Sequence, residues 1–391
     1  MGTPVSLPAE PPAGWATRIH RKKVLMVGPV PPPEGGIATV MSATMDSDLS
    51  LDFTFDVFNR SAIPPEHRTC LQRSIFRLKR LFGFFLTLKK ERYDFIHIHS
   101  ADPHFVGTAV FMLLARVTRT KVLLHMHGTD WDMFYTRASA LTKLLIRTGL
   151  FLPHMTVVLY TLWAKNLRRI RPSLNIRVVR NMIRRSAPAD PVTVQQLRDS
   201  LGINTDDFVA VTVGAVGKRK GSFEILRAAH VMARRKSESV VFVLVGGEEL
   251  PGEMDQLHAL MRSQCVEKYI RLTGEVAREH IPQYIGIADV FLLPSFIEGL
   301  PISIIEAMQQ GKPVISTPVG GIPDMIQERV SGLLIQPGVP EEIVEAVLLL
   351  RGNEHLRDKL GETGKKVFEE QFEISGAIHE LRAVYRLLAV E

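Results

Sequence analysis

The chain has 391 residues, 46% of them hydrophobic, which is enough for two or three globular domains with sizeable cores. Its net charge of +7 favours anionic partners such as a phosphate-bearing substrate or a membrane surface. Two distant cysteines have no metal-ligand spacing, the basic residues form no nucleic-acid motif, and no apolar run reaches the roughly 20 residues of a membrane span. We therefore expect reduced thiols, no nucleic-acid partner and no transmembrane helix.

Residues 1–18 are rich in proline and alanine, and they predict a disordered tail rather than a signal peptide. After them, short apolar segments alternate with helical stretches, which is typical of parallel α/β sheets. The first lobe, residues 19–185, has predicted strands at 23–28, 53–58, 95–99 and 122–126. The second lobe, residues 186–374, has predicted strands at 208–214, 240–246, 270–273, 290–294 and 313–316.

Proline residues in the polar segment 183–194 interrupt the pattern and predict a linker there. Residues 375–391 predict a C-terminal helix, with packing against the first lobe as one option. The predicted fold is therefore α/β, with two tandem Rossmann-like lobes that face a central cleft. Ligands of such sheets bind beyond the carboxyl ends of the strands, so the residues after each strand are the first candidates for a site.

Two carboxylates flank the start of a predicted helix in the second lobe. Pro301 suits the first turn of that helix, Glu298 precedes it, and Glu306 lies about two turns into it. The backbone N–H groups of Gly299 and Leu300 would point into the cleft, where a helix N-terminus suits a phosphate. The carboxylates can accept hydrogen bonds from sugar hydroxyls. The spacing alone is more typical of ordinary ion pairs, but the strand-loop-helix context favours a nucleotide-sugar site.

A long block of the second lobe resembles a known family. The segment FLLPSFIEGLPISIIEAMQQGKPVISTPVGGIPDMI at 291–326, continued by SGLLIQPG at 331–338, is similar to the donor-binding core of family 4 (group 1) glycosyltransferases of the GT-B fold. Weaker similarity covers VGAVGKRKG, LVGG and LTGEV of the second lobe, and the Gly-Gly loop, HIHS and MHG of the first. The resemblance implies a retaining hexosyltransferase that uses a nucleotide-sugar donor. Its acceptor would be a glycan or a lipid-linked molecule in surface polysaccharide or glycolipid synthesis.

The resemblance also implies roles for three residues. Glu306 would hold the ribose hydroxyls, Glu298 would contact the transferred sugar, and Lys220 would contact the donor diphosphate. The position of Lys220 supports its role independently, because it follows a strand end and a Gly-rich loop, where a cation can neutralise a leaving phosphate.

The chain departs from the family pattern beside this lysine. Many members have an arginine after the glycine that corresponds to Gly214, whereas this chain has Ala215. Lys218 and Arg219 lie in the same loop and are the candidates to supply the missing charge.

In the first lobe, Gly35 and Gly36 follow a predicted strand and would let the backbone approach a diphosphate closely. His127 ends another strand, and His125 shares its face if the strand is regular. A single histidine on a strand is usually structural, but the family's first-lobe histidine corresponds to His127, so we assign it a catalytic role.

We expect no metal and no cofactor, because no acidic pair adjoins the predicted diphosphate loop and the nucleotide-sugar is itself a substrate. Asp130 and Asp132 form a D-W-D sequence in the first lobe, where we interpret them as loop residues. The cationic loop and the helix dipole would then stabilise the leaving diphosphate.

A predicted helix near residues 68–92 carries an apolar stripe and basic residues on its opposite face. The stripe is Leu71, Ile75, Leu78, Phe82 and Phe85, and the basic residues are Arg73, Arg77 and Arg80. Two interpretations fit this pattern: docking on an anionic membrane, or packing of the stripe on the first-lobe sheet. We expect a cytoplasmic enzyme, and the first interpretation would place it at the inner face of the cell membrane.

A nucleotide-sugar epimerase of similar two-lobed fold is the alternative function, because it needs the same nucleotide-binding residues. Transfer to an acceptor, as opposed to isomerisation of the donor alone, distinguishes the two.

Overall fold

The computed structural model describes residues 21–29, 36–60, 69–101, 105–128, 131–235 and 240–390. The predicted tail at 1–18, Gly35 and Asp130 lie outside the described residues. Two parallel six-stranded sheets organise the chain, one in each lobe.

The sheet of the first lobe consists of six parallel strands. They are β1 (Lys22–Gly28), β2 (Phe53–Asn59), β3 (Phe95–Ser100), β4 (Lys121–Met126), β5 (Met155–Val158) and β6 (Ile176–Val178). Their order is β2-β1-β3-β4-β5-β6. The order reverses between β1 and β3, and this pair is therefore the switch point at which an open parallel sheet binds ligands.

The sheet of the second lobe is also fully parallel. Its strands are β7 (Phe208–Val213), β8 (Val240–Val245), β9 (Ile270–Leu272), β10 (Val290–Leu293), β11 (Val314–Ser316) and β12 (Leu333–Leu334). The order β12-β11-β10-β7-β8-β9 is that of a Rossmann sheet, with its switch point between β7 and β10. Both β7 and β8 are buried along their whole length, as expected for parallel strands covered on two faces.

Helices connect the strands in both lobes. Those between the strands of the first sheet are α1 (Gly36–Met45), α2 (Leu49–Asp52), α3 (Cys70–Lys90), α4 (Phe105–Val117), α5 (Trp131–Arg137), α6 (Ala140–Gly149) and α7 (Thr161–Ile170). Those of the second lobe and the C-terminus are α8 (Pro191–Ser200), α9 (Ser222–Arg234), α10 (Glu253–Gln264), α11 (Ile281–Gly286), α12 (Ile302–Gln309), α13 (Pro340–Gly352), α14 (Glu354–Gln371) and α15 (Ile374–Val390). None of these helices is long and apolar enough to cross a membrane.

Three details differ from the sequence-based expectations. The predicted linker at 183–194 ends early, because Asp190 accepts a hydrogen bond from the backbone N–H of Thr193 at 2.9 Å and Pro191 begins α8. Asp132 lies within α5 rather than in a loop. The short strands β5, β6 and β12 were not predicted, since runs of two to four residues carry little periodicity.

The C-terminal helix α15 returns from the second lobe and packs against the first sheet. The ring of Tyr385 lies edge-on to Phe95, with centroids 4.9 Å apart, and to Phe53, at 5.1 Å. Leu381 and Leu388 join the same buried cluster. The two lobes are therefore connected both by the segment before α8 and by this helix.

Candidate active site

The switch points of the two sheets face each other near the first residues of two helices. A Cβ atom built on Gly36, the first residue of α1, would lie 3.8 Å from Cγ1 of Ile302, the first residue of α12. Each helix N-terminus carries a partial positive charge and unpaired N–H groups, so two of them at one point suit an anion such as a diphosphate.

Lys220 and Glu298 form an ion pair at the switch point of the second lobe. The Lys220 Nζ lies 2.7 Å from Glu298 Oε1, and the Ser295 hydroxyl donates to the same oxygen at 2.7 Å. Glu298 is only 3% exposed, so its charge needs these partners. Gly214 packs beside the lysine with φ +142°, a backbone conformation that L side chains rarely adopt, which favours glycine there. Sequence reasoning missed Ser295, although it directly follows β10 and Pro294.

The loop that carries Glu298 packs closely against two consecutive glycines, Gly320 and Gly321. Gly320 has φ +57°, and a Cβ there would lie 1.8 Å from the carbonyl oxygen of Glu298. Gly321 donates its N–H to the Gly299 carbonyl at 2.7 Å. Asn181, which follows β6 of the first lobe, donates its side-chain N–H to the Leu300 carbonyl at 2.8 Å. The loop backbone is thus held from both lobes.

Glu306 lies on α12, and its partner is Arg278, a residue that the sequence did not indicate. Arg278 Nη2 is 2.5 Å from Glu306 Oε1. Burial raises the pKa of Glu306 above its usual value, while the charge of Arg278 acts in the opposite direction. The two side chains border a cavity of about 410 Å³ that also touches Thr39 and Ser42 of α1. Arg278 could have been suggested from the sequence only by its position a few residues after β9, at the edge of the sheet where ligands bind.

The two candidates for the missing family charge lie elsewhere. Arg219 is bonded to Glu249 through its Nε and donates to the Ile297 carbonyl at 3.2 Å. Lys218 is exposed, with its Nζ 5.6 Å from the centroid of the Phe223 ring. Both border a separate cavity of about 400 Å³. The structure therefore places the Lys220 side chain beside Glu298, whereas the charged groups of Lys218 and Arg219 have other neighbours.

Comparisons with known proteins agree with this architecture. Residues 193–367 match the family model described as glycosyl transferases group 1. N-acetyl-alpha-D-glucosaminyl L-malate synthase of Bacillus anthracis is 25% identical over 301 residues, which cover 76% of this chain and 75% of that protein. The UDP-Gal:alpha-D-GlcNAc-diphosphoundecaprenol alpha-1,3-galactosyltransferase of Escherichia coli is 25% identical over 279 residues, 69% of this chain and 70% of that one.

Anabaena HepE, solved in complex with UDP, has the same fold with a TM-score of 0.75 and 16% identity, over 93% of this chain and 100% of that one. The chain is a glycosyltransferase, and its residues 193–367 match group 1. Its two parallel sheets form the GT-B fold that the sequence predicted, and the predicted activity class is confirmed. None of the proteins named here is an epimerase, and nothing in these comparisons supports that alternative.

In the first lobe, this glycosyltransferase carries four buried histidines on one face of β3 and at the end of β4. His97 Nε2 lies 3.1 Å from His125 Nδ1, and His99 Nδ1 lies 2.8 Å from His127 Nε2. The hydroxyl of Tyr385 lies 2.6 Å from His97 Nδ1. We call His97, His99, His125 and His127 the histidine quartet. Strand alternation predicted a shared face for His125 and His127, but it did not predict the contacts of the four histidines with one another or with α15.

Burial keeps the histidine quartet neutral. It lowers the pKa of His127 to about 3, and burial together with neighbouring histidines lowers the pKa values of the other three well below the usual value. His127 is therefore a neutral hydrogen-bonding group at physiological pH.

Ring nitrogens of His97, His99 and His125 lie within 4.8 Å of one another, which is close enough to hold a metal ion among the described residues. Both nitrogens of His97 already have partners, however, and metal independence stays a prediction.

Helix α3 presents its apolar stripe to solvent. Leu71, Leu78 and Phe82 are 70%, 65% and 62% exposed. The helix packs inward through Phe84 and Leu88, which are buried. The interpretation in which the stripe packs on the first-lobe sheet is therefore wrong.

Proposed function

We propose that this glycosyltransferase retains the anomeric configuration and takes its sugar from a nucleoside diphosphate donor bound between the two switch points. The observation that carries the proposal is the buried pair of Lys220 and Glu298 beside the N-terminus of α12. A lysine and two helix N-termini at one point match the charge of a diphosphate, and a carboxylate matches sugar hydroxyls.

Each predicted residue then has a chemical role. Lys220 stabilises the leaving diphosphate, and Glu298 accepts hydrogen bonds from the transferred sugar. Glu306 exchanges its bond to Arg278 for the ribose hydroxyls when the donor enters. His127 contributes a neutral imidazole or its backbone carbonyl beside the developing positive charge at the anomeric carbon.

The bond changes follow from retention. The acceptor oxygen bonds to the anomeric carbon on the face from which the diphosphate departs. The bond from that carbon to the diphosphate oxygen breaks, and a donor phosphate oxygen takes the acceptor proton. The protein positions the reactants and stabilises charge.

The acceptor that we propose is a glycan or a lipid-linked molecule of surface polysaccharide or glycolipid synthesis. The E. coli relative is named for a diphosphoundecaprenol-linked substrate, and HepE was solved with UDP and with UDP-glucose. UDP-sugars are therefore the first donors to test.

A donor screen tests the proposal. Purified protein is incubated with UDP-, GDP- and ADP-sugars plus membrane lipid extract, and nucleoside diphosphate release and glycosylated product are measured. We expect release with one donor class, its loss in Lys220→Met, and its persistence in the matched loop variant Lys218→Met. The anomeric coupling constant of the product by NMR reports retention. Donor isomerisation without transfer, or an inverted product, would contradict the proposal.

We further propose that the enzyme works at the inner face of the cell membrane and docks there through α3. Its exposed stripe inserts among acyl chains, and the net charge of +7 favours an anionic surface over a neutral one. Liposome co-sedimentation should show binding that salt weakens and that Leu78→Ser/Phe82→Ser abolishes. The second-lobe control Val192→Ser/Leu250→Ser, which also removes exposed apolar side chains, should bind normally. Equal binding of both variants would refute the docking surface.

A further inference from the structure

The four rings of the histidine quartet differ in how far they reach toward the cleft. His97, His99 and His125 are at most 2% exposed, whereas His127 is 9% exposed. His127 directly follows the last residue of β4, at the edge of a parallel sheet where ligands bind. The quartet therefore meets the cleft at His127, and the other three rings lie behind it.

Strand β3 holds both the backbone and the ring of His127. The backbone N–H of His127 donates to the Ser100 carbonyl at 2.7 Å, and its ring Nε2 lies 2.8 Å from His99 Nδ1. The bond to His99 occupies Nε2, so Nδ1 is the ring nitrogen left for a ligand. A neutral imidazole has one N–H and one bare nitrogen, and therefore one of the two rings donates and the other accepts. The direction of this bond decides whether His127 offers the cleft a donor or an acceptor.

The direction of hydrogen bonding in the quartet begins at Tyr385 of α15. The Tyr385 hydroxyl lies 2.6 Å from His97 Nδ1 and 3.6 Å from the Met26 sulfur. Because a thioether is a weak acceptor, the hydroxyl donates to His97 Nδ1. The proton of His97 is then on Nε2, which lies 3.1 Å from His125 Nδ1 and donates to it. His125 therefore carries its own proton on Nε2.

The proton of His99 follows from its neighbour. Nε2 of His99 and Nε2 of His125 are both buried without a hydrogen-bond partner in the described part of the chain, and the two ring centroids lie 5.0 Å apart. A proton on each would bury two unpaired N–H groups in neighbouring rings. A bare Nε2 on His99 avoids the second one, and its lone pair is attracted by the N–H dipole of His125. His99 then carries its proton on Nδ1.

We propose that His99 is a positioning residue for His127: the Nδ1–H of His99 donates to His127 Nε2, and His127 thereby presents its Nδ1–H to the cleft as a hydrogen-bond donor. The group that such a donor fits is a hydroxyl oxygen of the transferred sugar. This inference rests on the proposed function, in which His127 lies beside that sugar. The reversed bond would give the cleft a bare nitrogen, which can only accept.

NMR of the free wild-type protein tests the tautomer without donor or turnover. In protein labelled with ¹⁵N at histidine, the His127 signals are those that disappear in His127→Asn. We expect the proton of His127 on Nδ1 and a bare, hydrogen-bonded Nε2. A proton on Nε2 of His127 would overturn the proposal, whatever the activity of the enzyme.

Two substitutions of His99 separate its hydrogen bond from its packing. Asparagine keeps an N–H donor close to the position of Nδ1, whereas phenylalanine keeps a ring of similar size and has no donor. We expect His99→Phe to lower kcat/KM for the donor about tenfold, the effect of one lost hydrogen bond, and His99→Asn to retain most of the activity. The exposed control His258→Phe on α10 should be unchanged. Equal losses in both His99 variants would show that His99 only fills space.

A double-mutant cycle shows whether His99 acts through His127. In the His127→Ala background, His99→Phe should cause no further loss of kcat/KM, since the group that it positions is gone. A second tenfold loss there would overturn the proposal. Circular dichroism checks folding, and if the phenylalanine variant does not fold, the wild-type NMR measurement still decides. If no donor gives turnover, the proposed transferase function fails, while the NMR result still reports the bond between the two histidines.

Discussion

We expect acid to destabilise the first lobe through the histidine quartet. In the folded chain the pKa of His127 is about 3, and those of its three neighbours are also well below the usual value. In the unfolded chain a histidine has a pKa of about 6.5. The unfolded state therefore binds more protons below that pH. Stability from the quartet is fully present above about pH 6.5 and is lost as the pH falls toward the folded-state values.

The magnitude follows mainly from the unfolded-state pKa. When the pH falls from 7 to 5.5, each histidine that stays neutral in the folded chain lowers the free energy of unfolding by about 1.2 kcal/mol. Four such residues cost about 5 kcal/mol, which is comparable with the whole stability of many domains. The first lobe should then be close to unfolding near pH 5.

Urea unfolding at pH 7 and pH 5.5 measures this effect through tryptophan fluorescence. Both described tryptophans, Trp131 and Trp163, are buried in the first lobe, so their emission reports that lobe. The variant His125→Asn should lose about a quarter of the pH dependence, whereas the exposed control His258→Asn should keep it. Equal unfolding free energies at both pH values would refute the neutral quartet.

Three further predictions concern the donor site and the metal. Glu306→Ala should weaken donor binding by about 1.5–3 kcal/mol in calorimetry, because the ribose loses a charged hydrogen-bond acceptor. The control Glu345→Ala, at an exposed position, should leave donor affinity unchanged. Unchanged affinity in Glu306→Ala would contradict the assignment of Glu306 to the ribose. Gly320→Ala should lower donor affinity and the melting temperature, since its Cβ would overlap the Glu298 carbonyl, whereas Gly352→Ala meets no neighbour within 4 Å; equal behaviour would contradict the loop's role. Turnover should survive EDTA, and activity that disappears and returns with Mg²⁺ or Mn²⁺ would show that a metal is required.

The sequence predicted those parts of the fold that depend on local pattern. Buried strands such as β7 and β8 are visible in the sequence as short runs rich in valine. The helix after Pro301 was predicted because proline suits the first turn of a helix, and the structure begins α12 one residue later, with Pro301 as its N-cap. Glu298 and Lys220 each follow a strand end, and the sheet order brings those two ends together.

Long-range contacts could not be predicted in the same way. The pairing of Arg278 with Glu306 depends on how α12 is rotated about its axis. The outward orientation of the stripe on α3 depends on which face Phe84 and Leu88 fill, since both faces of that helix contain apolar residues. The approach of Tyr385 to His97 joins positions 288 residues apart, and no local pattern encodes such a distance.

The chain crosses between the lobes twice, and the two crossings bond to each other. Ile183 donates its N–H to the Phe372 carbonyl at 3.0 Å, and Ile374 donates to the Ile183 carbonyl at 3.0 Å. The lobes are therefore joined by two adjacent segments, and we expect the cleft to open by rotation about them rather than by separation of the lobes. The first lobe is also incomplete without the C-terminus. Its sheet face around Phe53 and Phe95 is covered by α15. A truncation that removes this C-terminal helix would therefore expose the hydrophobic core of the N-terminal lobe.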